Sequence, residues 1–157
     1  RKKIKYDIIV MMQGDEPMIN SKMITDSIQP LLDNKKINVV NLIGSINNKK
    51  DFENPNFIKV VHDQNYNALY FSRSSIPHVR FRKDIYIKKQ ICVIPFRRDF
   101  LVKYHKMKPT PLEKIESIDM LRIVENGYKI FLVKTKYFSH AVDTKEDLFK
   151  VEKYMRK

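Results

Sequence analysis

Glycine, cysteine and tryptophan are nearly missing from this chain, which has three glycines, one cysteine and no tryptophan in 157 residues. A lone thiol cannot close a disulfide within the chain, which excludes the disulfide frameworks of small secreted domains. Cys92 lies in the apolar run Ile91-Cys92-Val93-Ile94, the setting of a buried thiol. Runs long enough to span a bilayer are also lacking, as is a signal-peptide pattern at the start, so no membrane insertion is expected and the cytoplasm is the default location. Internal repeats and low-complexity linkers are absent. Acidic residues are in short supply, 18 against 31 lysines and arginines, for a net charge of +13. Such a surplus attracts nucleic acid or an anionic membrane when it is gathered on one face. Here the lysines are spread along the chain, arginine is scarce beside lysine, and Asn and Ile are abundant, as AT-rich coding produces. Composition bias therefore outweighs nucleic-acid binding, and a basic site for anionic substrates suits the same surplus. A non-catalytic basic binding module is the alternative.

What is present is 43% hydrophobic, enough for one globular domain over residues 1–157. The chain begins at Arg1 rather than Met, close to its first strand, and is expected to be a piece of a longer protein. Tyr6 to Met12 is a short apolar run without alternation, which predicts a strand buried on both faces. It stops at Gly14, where a missing Cβ permits a tight turn or a close approach to a ligand, and Pro17 fixes the exit. Asn20 or Ser21 caps a helix carrying Met23, Ile24, Ile28, Leu31 and Leu32, which Pro30 kinks or ends. Ile37 to Ile46 reads as a strand, and Asn47 to Asn56 as a loop with one helical turn. The runs from Phe57 and from Ala68 flank Asp63-Gln64-Asn65-Tyr66-Asn67, the residues of a hairpin turn.

Arg73 to Asp84 is a basic loop, and Ile85 to Phe96 the longest strand candidate, ending at Pro95. Arg97 to Met107 predicts a short helix with Phe100, Leu101 and Tyr104 on one face. Thr110, Pro111 and Glu113 fit a capping box for a helix that Asn126-Gly127 stops. Lys129 to Thr135 is a strand, and Thr144 caps a last helix holding Leu148, Val151 and Met155. Alternating helices and strands with one inserted hairpin predict an α/β fold. Its sheet is expected to be mixed, mostly parallel, with helices on both faces.

Asp15 and Glu16 stand just past the end of a buried strand, where open α/β sheets bind ligands. An acidic turn in solvent is the bland reading, and a second strand-end carboxylate, Asp143, shifts the balance toward a site. Asp143-Thr144 ahead of a helix is also an ordinary cap arrangement. Gln13 offers an amide to a substrate or to a strand end, and Arg73 is either a ligand for a carboxylate or a surface arginine like Arg80 and Arg82.

Val10 and, after two residues, Gln13-Gly14-Asp15-Glu16-Pro17 resemble a motif of the 3-deoxy-manno-octulosonate cytidylyltransferase (CMP-Kdo synthetase) family. Three further stretches carry the resemblance in the family's order. They are Asn54-Pro55-Asn56 through Lys59-Val60-Val61 and Ala68 to Pro77; Leu112-Glu113 and Glu116-Ser117 through Ile130; and Val142-Asp143-Thr144 with Glu146-Asp147-Leu148. The resemblance implies a nucleotide-diphospho-sugar transferase-like fold and transfer of CMP from CTP to a 2-keto sugar acid, for surface polysaccharide synthesis. It implies Mg²⁺ on Asp15 and Asp143 as the catalytic pair, substrate contacts from Gln13, Arg73, Gln90 and Asp119, and a homodimer. The dimer would form through the region from about Phe57 to Ile94, where Phe57, Tyr66 and Phe81 are expected to be partly exposed. Four positions depart from the family at the sugar pocket: Gln90, Ile94, Asp119 and Met120 replace His, Tyr, Glu and Gln. With both aspartates intact, this pattern implies retained chemistry on a different acid sugar, the alternative being an inactive copy. The family's Arg- and Gly-rich nucleotide segment, which precedes Gln13, is not found in this sequence, so the chain alone is expected to be inactive.

Overall fold

A computed structural model describes residues 6–80 and 87–156. The elements run β1 (Ile8–Met12), α1 (Ser21–Asp33), β2 (Val40–Ile46), α2 (Lys49–Glu53), β3 (Lys59–His62), β4 (Ala68–Ser72), β5 (Ile87–Ile91), β6 (Val93–Arg97), α3 (Arg98–His105), α4 (Pro111–Glu116), α5 (Met120–Glu125), β7 (Phe131–Lys134) and α6 (Lys145–Met155). Phe81, Arg82, Asp84 and Ile85, which entered the loop, strand and dimer expectations, lie outside the described residues.

Five strands form a mixed sheet in the order β4-β3-β5-β2-β7, and β1 and β6 form a separate antiparallel pair. In the larger sheet β2–β7 is parallel, while β2–β5, β3–β4 and β3–β5 are antiparallel. The expected mostly parallel sheet is thus mixed with antiparallel pairings in the majority. The hairpin β3–β4 and the return strand β5 account for this, since only β7 is reached through a helical crossover from its neighbour.

Alternation along β2 explains how helices cover two faces. Leu42 packs with Met23 of α1, Ile91 and Val93, whereas Ile43 joins Phe100 and Tyr104 of α3 and Leu121 and Ile123 of α5. Helix α1 starts where Asn20 Oδ1 accepts the Met23 N–H at 3.1 Å. Pro30 does not end it, because the helix continues to Asp33 and Pro30 C=O accepts the Asn34 N–H that closes it. The hairpin turn is built by Asp63, whose carboxylate accepts the N–H groups of Asn65 and Asn67 and the Asn67 side chain.

Three expectations about elements are corrected. Strand β1 is not buried on both faces: its only strand partner among the described residues is β6, and Ile9 and Met12 are 37% and 45% exposed. The run Ile85 to Phe96 is not one strand, because the chain bends at Cys92 and passes from the five-stranded sheet into the pair with β1. Cys92 N–H leaves the ladder there and donates to Glu16 Oε1 at 3.3 Å. Pro95 sits inside β6 opposite Val10 rather than at its end. The helix from Pro111 is likewise two helices, broken at Ser117, whose φ of 55° is left-handed. Asn126 and Gly127, the latter at φ 76°, do end α5 as the sequence predicts.

Candidate active site

Asp15 and Asp143 enter the same cavity from opposite ends of the chain. Asp15 follows β1 in the Gln13–Glu16 turn, and Asp143 closes the segment that leads from β7 to α6. A backbone bond joins the two segments, with Val142 N–H donating to Asp15 C=O at 2.9 Å. Glu16 adds a second tie: one carboxylate oxygen accepts the Ser139 hydroxyl and the other the Cys92 N–H. Lys89 Nζ donates to Ser139 C=O at 2.7 Å and lies 4.4 Å over the Phe57 ring. Gly44 leaves room for this, since a Cβ there would meet Ile91 at 3.1 Å and Lys89 at 3.6 Å. Gly14 shows no such need: a Cβ would meet nothing within 4 Å, and its backbone is not left-handed.

The cavity, about 290 Å³, is lined by Gln13, Asp15, Arg73, Gln90, Asp119 and Asp143, so the structure brings every residue singled out from the sequence to one place. Asp15 Oδ1 is buried and has no hydrogen-bond partner. Desolvation, reinforced by the Asp15 and Asp147 charges, raises the Asp143 carboxyl above its ordinary pKa. The cap reading for Asp143 is not what the structure shows. Thr144 Oγ1 accepts the Asp147 N–H and Thr144 N–H donates to Asp147 Oδ2 at 3.1 Å, so the cap of α6 is built one residue later. Asp147 also meets buried His140, whose Nε2 lies 2.7 Å from Oδ1.

Arg73 is neither a free ligand nor a surface arginine. Its Nε donates to Glu116 C=O (2.8 Å), Nη1 to Pro55 C=O (3.1 Å) and Nη2 to Ser117 C=O (3.3 Å). A guanidinium has N–H donors beyond these, so a face remains for the cavity. Gln90 Nε2 donates to the fully buried Asn41 at 2.6 Å, which fixes which end of the Gln90 amide the cavity meets. Ile94 and Met120, expected to shape the pocket, do line the cavity, as apolar floor: they are 2% and 1% exposed and continuous with the core.

The sequence reading gave no role to Lys59, Lys89 or Glu116, although Lys59 and Glu116 lie in the stretches that carry the resemblance. Lys59 is fully buried in β3, and its Nζ donates to Asn54 C=O at 3.0 Å and to Arg73 C=O. Burial pulls its pKa down to about 8, with the Glu116 charge opposing and that of Arg73 adding to the effect. Glu116 accepts from the Tyr70 and Ser72 hydroxyls and from Arg73 N–H. Burial would raise the Glu116 pKa, but these donors outweigh it and hold the carboxylate below its ordinary value. A lysine at an alternating position of a short strand reads as solvent-facing, so its place in a matching stretch gave no sign of its burial.

Comparison with known proteins places these features in context. A family model described as Cytidylyltransferase matches residues 1–130. A 3-deoxy-manno-octulosonate cytidylyltransferase from Fusobacterium nucleatum is 43% identical over 99% of this chain and 63% of its own length. The enzyme of that name from Geobacter metallireducens is 42% identical over 95% of this chain and 63% of its own length. The chain therefore spans a little under two thirds of these relatives. Among solved structures, a CMP:2-keto-3-deoxy-manno-octonic acid synthetase complexed with CTP superposes with a TM-score of 0.87 at 32% identity, over 98% of this chain and 64% of that one. A putative glucose-1-phosphate thymidylyltransferase from Bacillus anthracis shares the fold, with a TM-score of 0.59 at 13% identity, over 96% of this chain and 55% of that one.

Proposed function

Since the chain belongs to the cytidylyltransferase family, we propose that the whole protein activates a 3-deoxy-2-keto sugar acid, Kdo or a relative, with CTP. The anomeric hydroxyl of the sugar attacks the α-phosphorus, the bond to the β-phosphate oxygen breaks, and CMP-sugar and pyrophosphate leave. The observation that carries this reading is the shared cavity of Asp15 and Asp143, with a buried, unpartnered Asp15 oxygen. Orphaned acceptors of that kind are costly unless a cation or donor meets them.

The residues fit Mg²⁺. Among the described residues no group of three or more His, Cys, Asp and Glu could hold a metal, but Mg²⁺ commonly takes one or two carboxylates and keeps its other positions for phosphate and water. Asp15 and Asp143 would hold it, and when bound it neutralises charge on the phosphates. The chain's own residues supply positioning, which is most of what phosphoryl-type transfer asks. Asp119 accepts from a sugar hydroxyl, Gln90 presents its Asn41-oriented amide, and the remaining Arg73 donors meet the sugar carboxylate. Gln13 lines the same cavity as Asp15 and offers its amide there.

Lipopolysaccharide or other surface polysaccharide synthesis in the cytoplasm is the setting that follows, and a homodimer is the assembly. Tyr66 is 43% exposed, but Phe57 is buried at 6% against the His140 ring and Lys89, so Phe57 is not available to a dimer face. No observation favours the binding-module reading. The test is pyrophosphate release by the full-length protein with CTP, Mg²⁺ and Kdo. Release that requires all three supports the assignment, and no release with Kdo or related 2-keto sugar acids overturns it. Sedimentation at micromolar concentration decides the dimer.

A further inference from the structure

One lysine in this fold is fully buried and is not needed as filler. Lys59 has no exposed surface, and a second cation, Arg73, acts on it. An apolar side chain of similar length would fill the same volume without the cost of desolvating a charge. What the ammonium does is join two loops: Asn54 C=O from the segment after α2, and Arg73 C=O from the segment after β4. Arg73 continues the chain of contacts, since its guanidinium takes the carbonyls of Pro55, Glu116 and Ser117. Glu116 closes the circuit by accepting Arg73 N–H and the Ser72 and Tyr70 hydroxyls. Glu116 is the last residue of α4; Ser117 follows it in the left-handed conformation, and Ser117, Ile118, Asp119 and Met120 line the cavity.

We propose that Lys59 is a positioning residue: its ammonium clamps the Asn54 and Arg73 carbonyls and thereby fixes Arg73 and the 116–119 turn as one wall of the cavity. The proposal rests on the assigned function in that this wall meets the sugar acid. Lys59 itself touches no substrate. Its effect reaches the cavity through Arg73 and Asp119, whereas the Asp15–Asp143 side is held by separate bonds through Val142, Glu16 and Ser139. Loss of the clamp should therefore act on one substrate and spare the other.

The experiment compares wild type, Lys59→Met and Glu116→Gln in the full-length protein. Lys59→Met is expected to raise KM for the sugar acid about tenfold or more, with KM for CTP and kcat changing less than about twofold. Amide exchange read by mass spectrometry should quicken about tenfold at residues 116–119 and stay unchanged in β2. Glu116→Gln loosens the same circuit without deleting the buried cation, so it decides the matter if Lys59→Met does not fold. A folded variant with unchanged KM and unchanged exchange overturns the proposal, as does an equal loss of kcat and of both KM values. A wild type that releases no pyrophosphate overturns the assigned function instead, and the exchange arm still decides whether the clamp orders the wall.

Discussion

Asp147→Asn is the substitution whose consequence the structure quantifies most directly. Asp147 stands in the first turn of α6, four residues after Asp143, and completes the capping box with Thr144, the residue next to Asp143. Burial pushes the Asp147 carboxyl up, but His140 and Thr144 hydrogen bonds outweigh it and hold the pKa at about 2 against the ordinary 3.8. At about 1.4 kcal/mol per unit, this difference stabilises the folded state by about 2 kcal/mol. The side chain is only 11% exposed, so solvent screening takes little from it. A pKa lowered on folding gives stability that is fully present above about pH 4 and is lost as pH falls toward 2.

In urea denaturation of the full-length protein followed by circular dichroism, Asp147→Asn should be less stable by about 2 kcal/mol at pH 7, or about 4–8 °C in Tm. At pH 3 the charge-dependent part of that gap should shrink to about half. Any cost of the amide that does not depend on charge is equal at both pH values and drops out of the difference. A gap that is the same at pH 7 and pH 3, or a variant as stable as wild type at pH 7, would refute the reasoning.

Mg²⁺ should raise the Tm of wild type, and Asp15→Asn or Asp143→Asn should abolish that rise and lower pyrophosphate release by about a thousandfold or more with any sugar. Gln90→His with Asp119→Glu should raise turnover of Kdo relative to the native sugar; a wild type that already uses Kdo as efficiently as the curated relatives would contradict this. Ile94→Tyr overfills a tightly packed position and should cost about 1–3 kcal/mol in denaturant titration. Burial, reinforced by Glu16, Asp15, Asp119 and Asp143, pushes the Cys92 thiol up to about 12. Native protein should thus react with a thiol reagent at pH 8 far more slowly than unfolded protein, and equal rates would show the thiol to be open to solvent.

Local chemistry in the sequence was enough wherever a residue acts on its own neighbours. Asn20 caps α1, Asp63 builds the hairpin turn, Thr144 starts α6 and Gly127 follows α5, each through bonds that span a few residues. Failures came where a distant partner decides. At the bend the Cys92 N–H is taken by Glu16, 76 positions away, and nothing in the apolar run around it announces a break. Ser117 is left-handed where the helix breaks, and Glu116 beside it is bonded to Ser72 and Arg73, more than 40 positions earlier. Resemblance located the carboxylates and Arg73, but it could not show that Arg73 spends three donors on carbonyls, or that Ile94 and Met120 line the cavity while almost wholly buried.

The bond between Val142 N–H and Asp15 C=O has a consequence for how this site tolerates change. Both partners are main-chain groups, so almost any residue at either position can make the bond, proline at Val142 being the exception. What the bond does constrain is the number of residues between the end of β7 and Val142. One residue inserted or deleted there would offer the wrong amide to Asp15 and carry Asp143 away from it. Variation should accordingly run freely through the identities of exposed residues in 135–142, while the length of that stretch stays fixed.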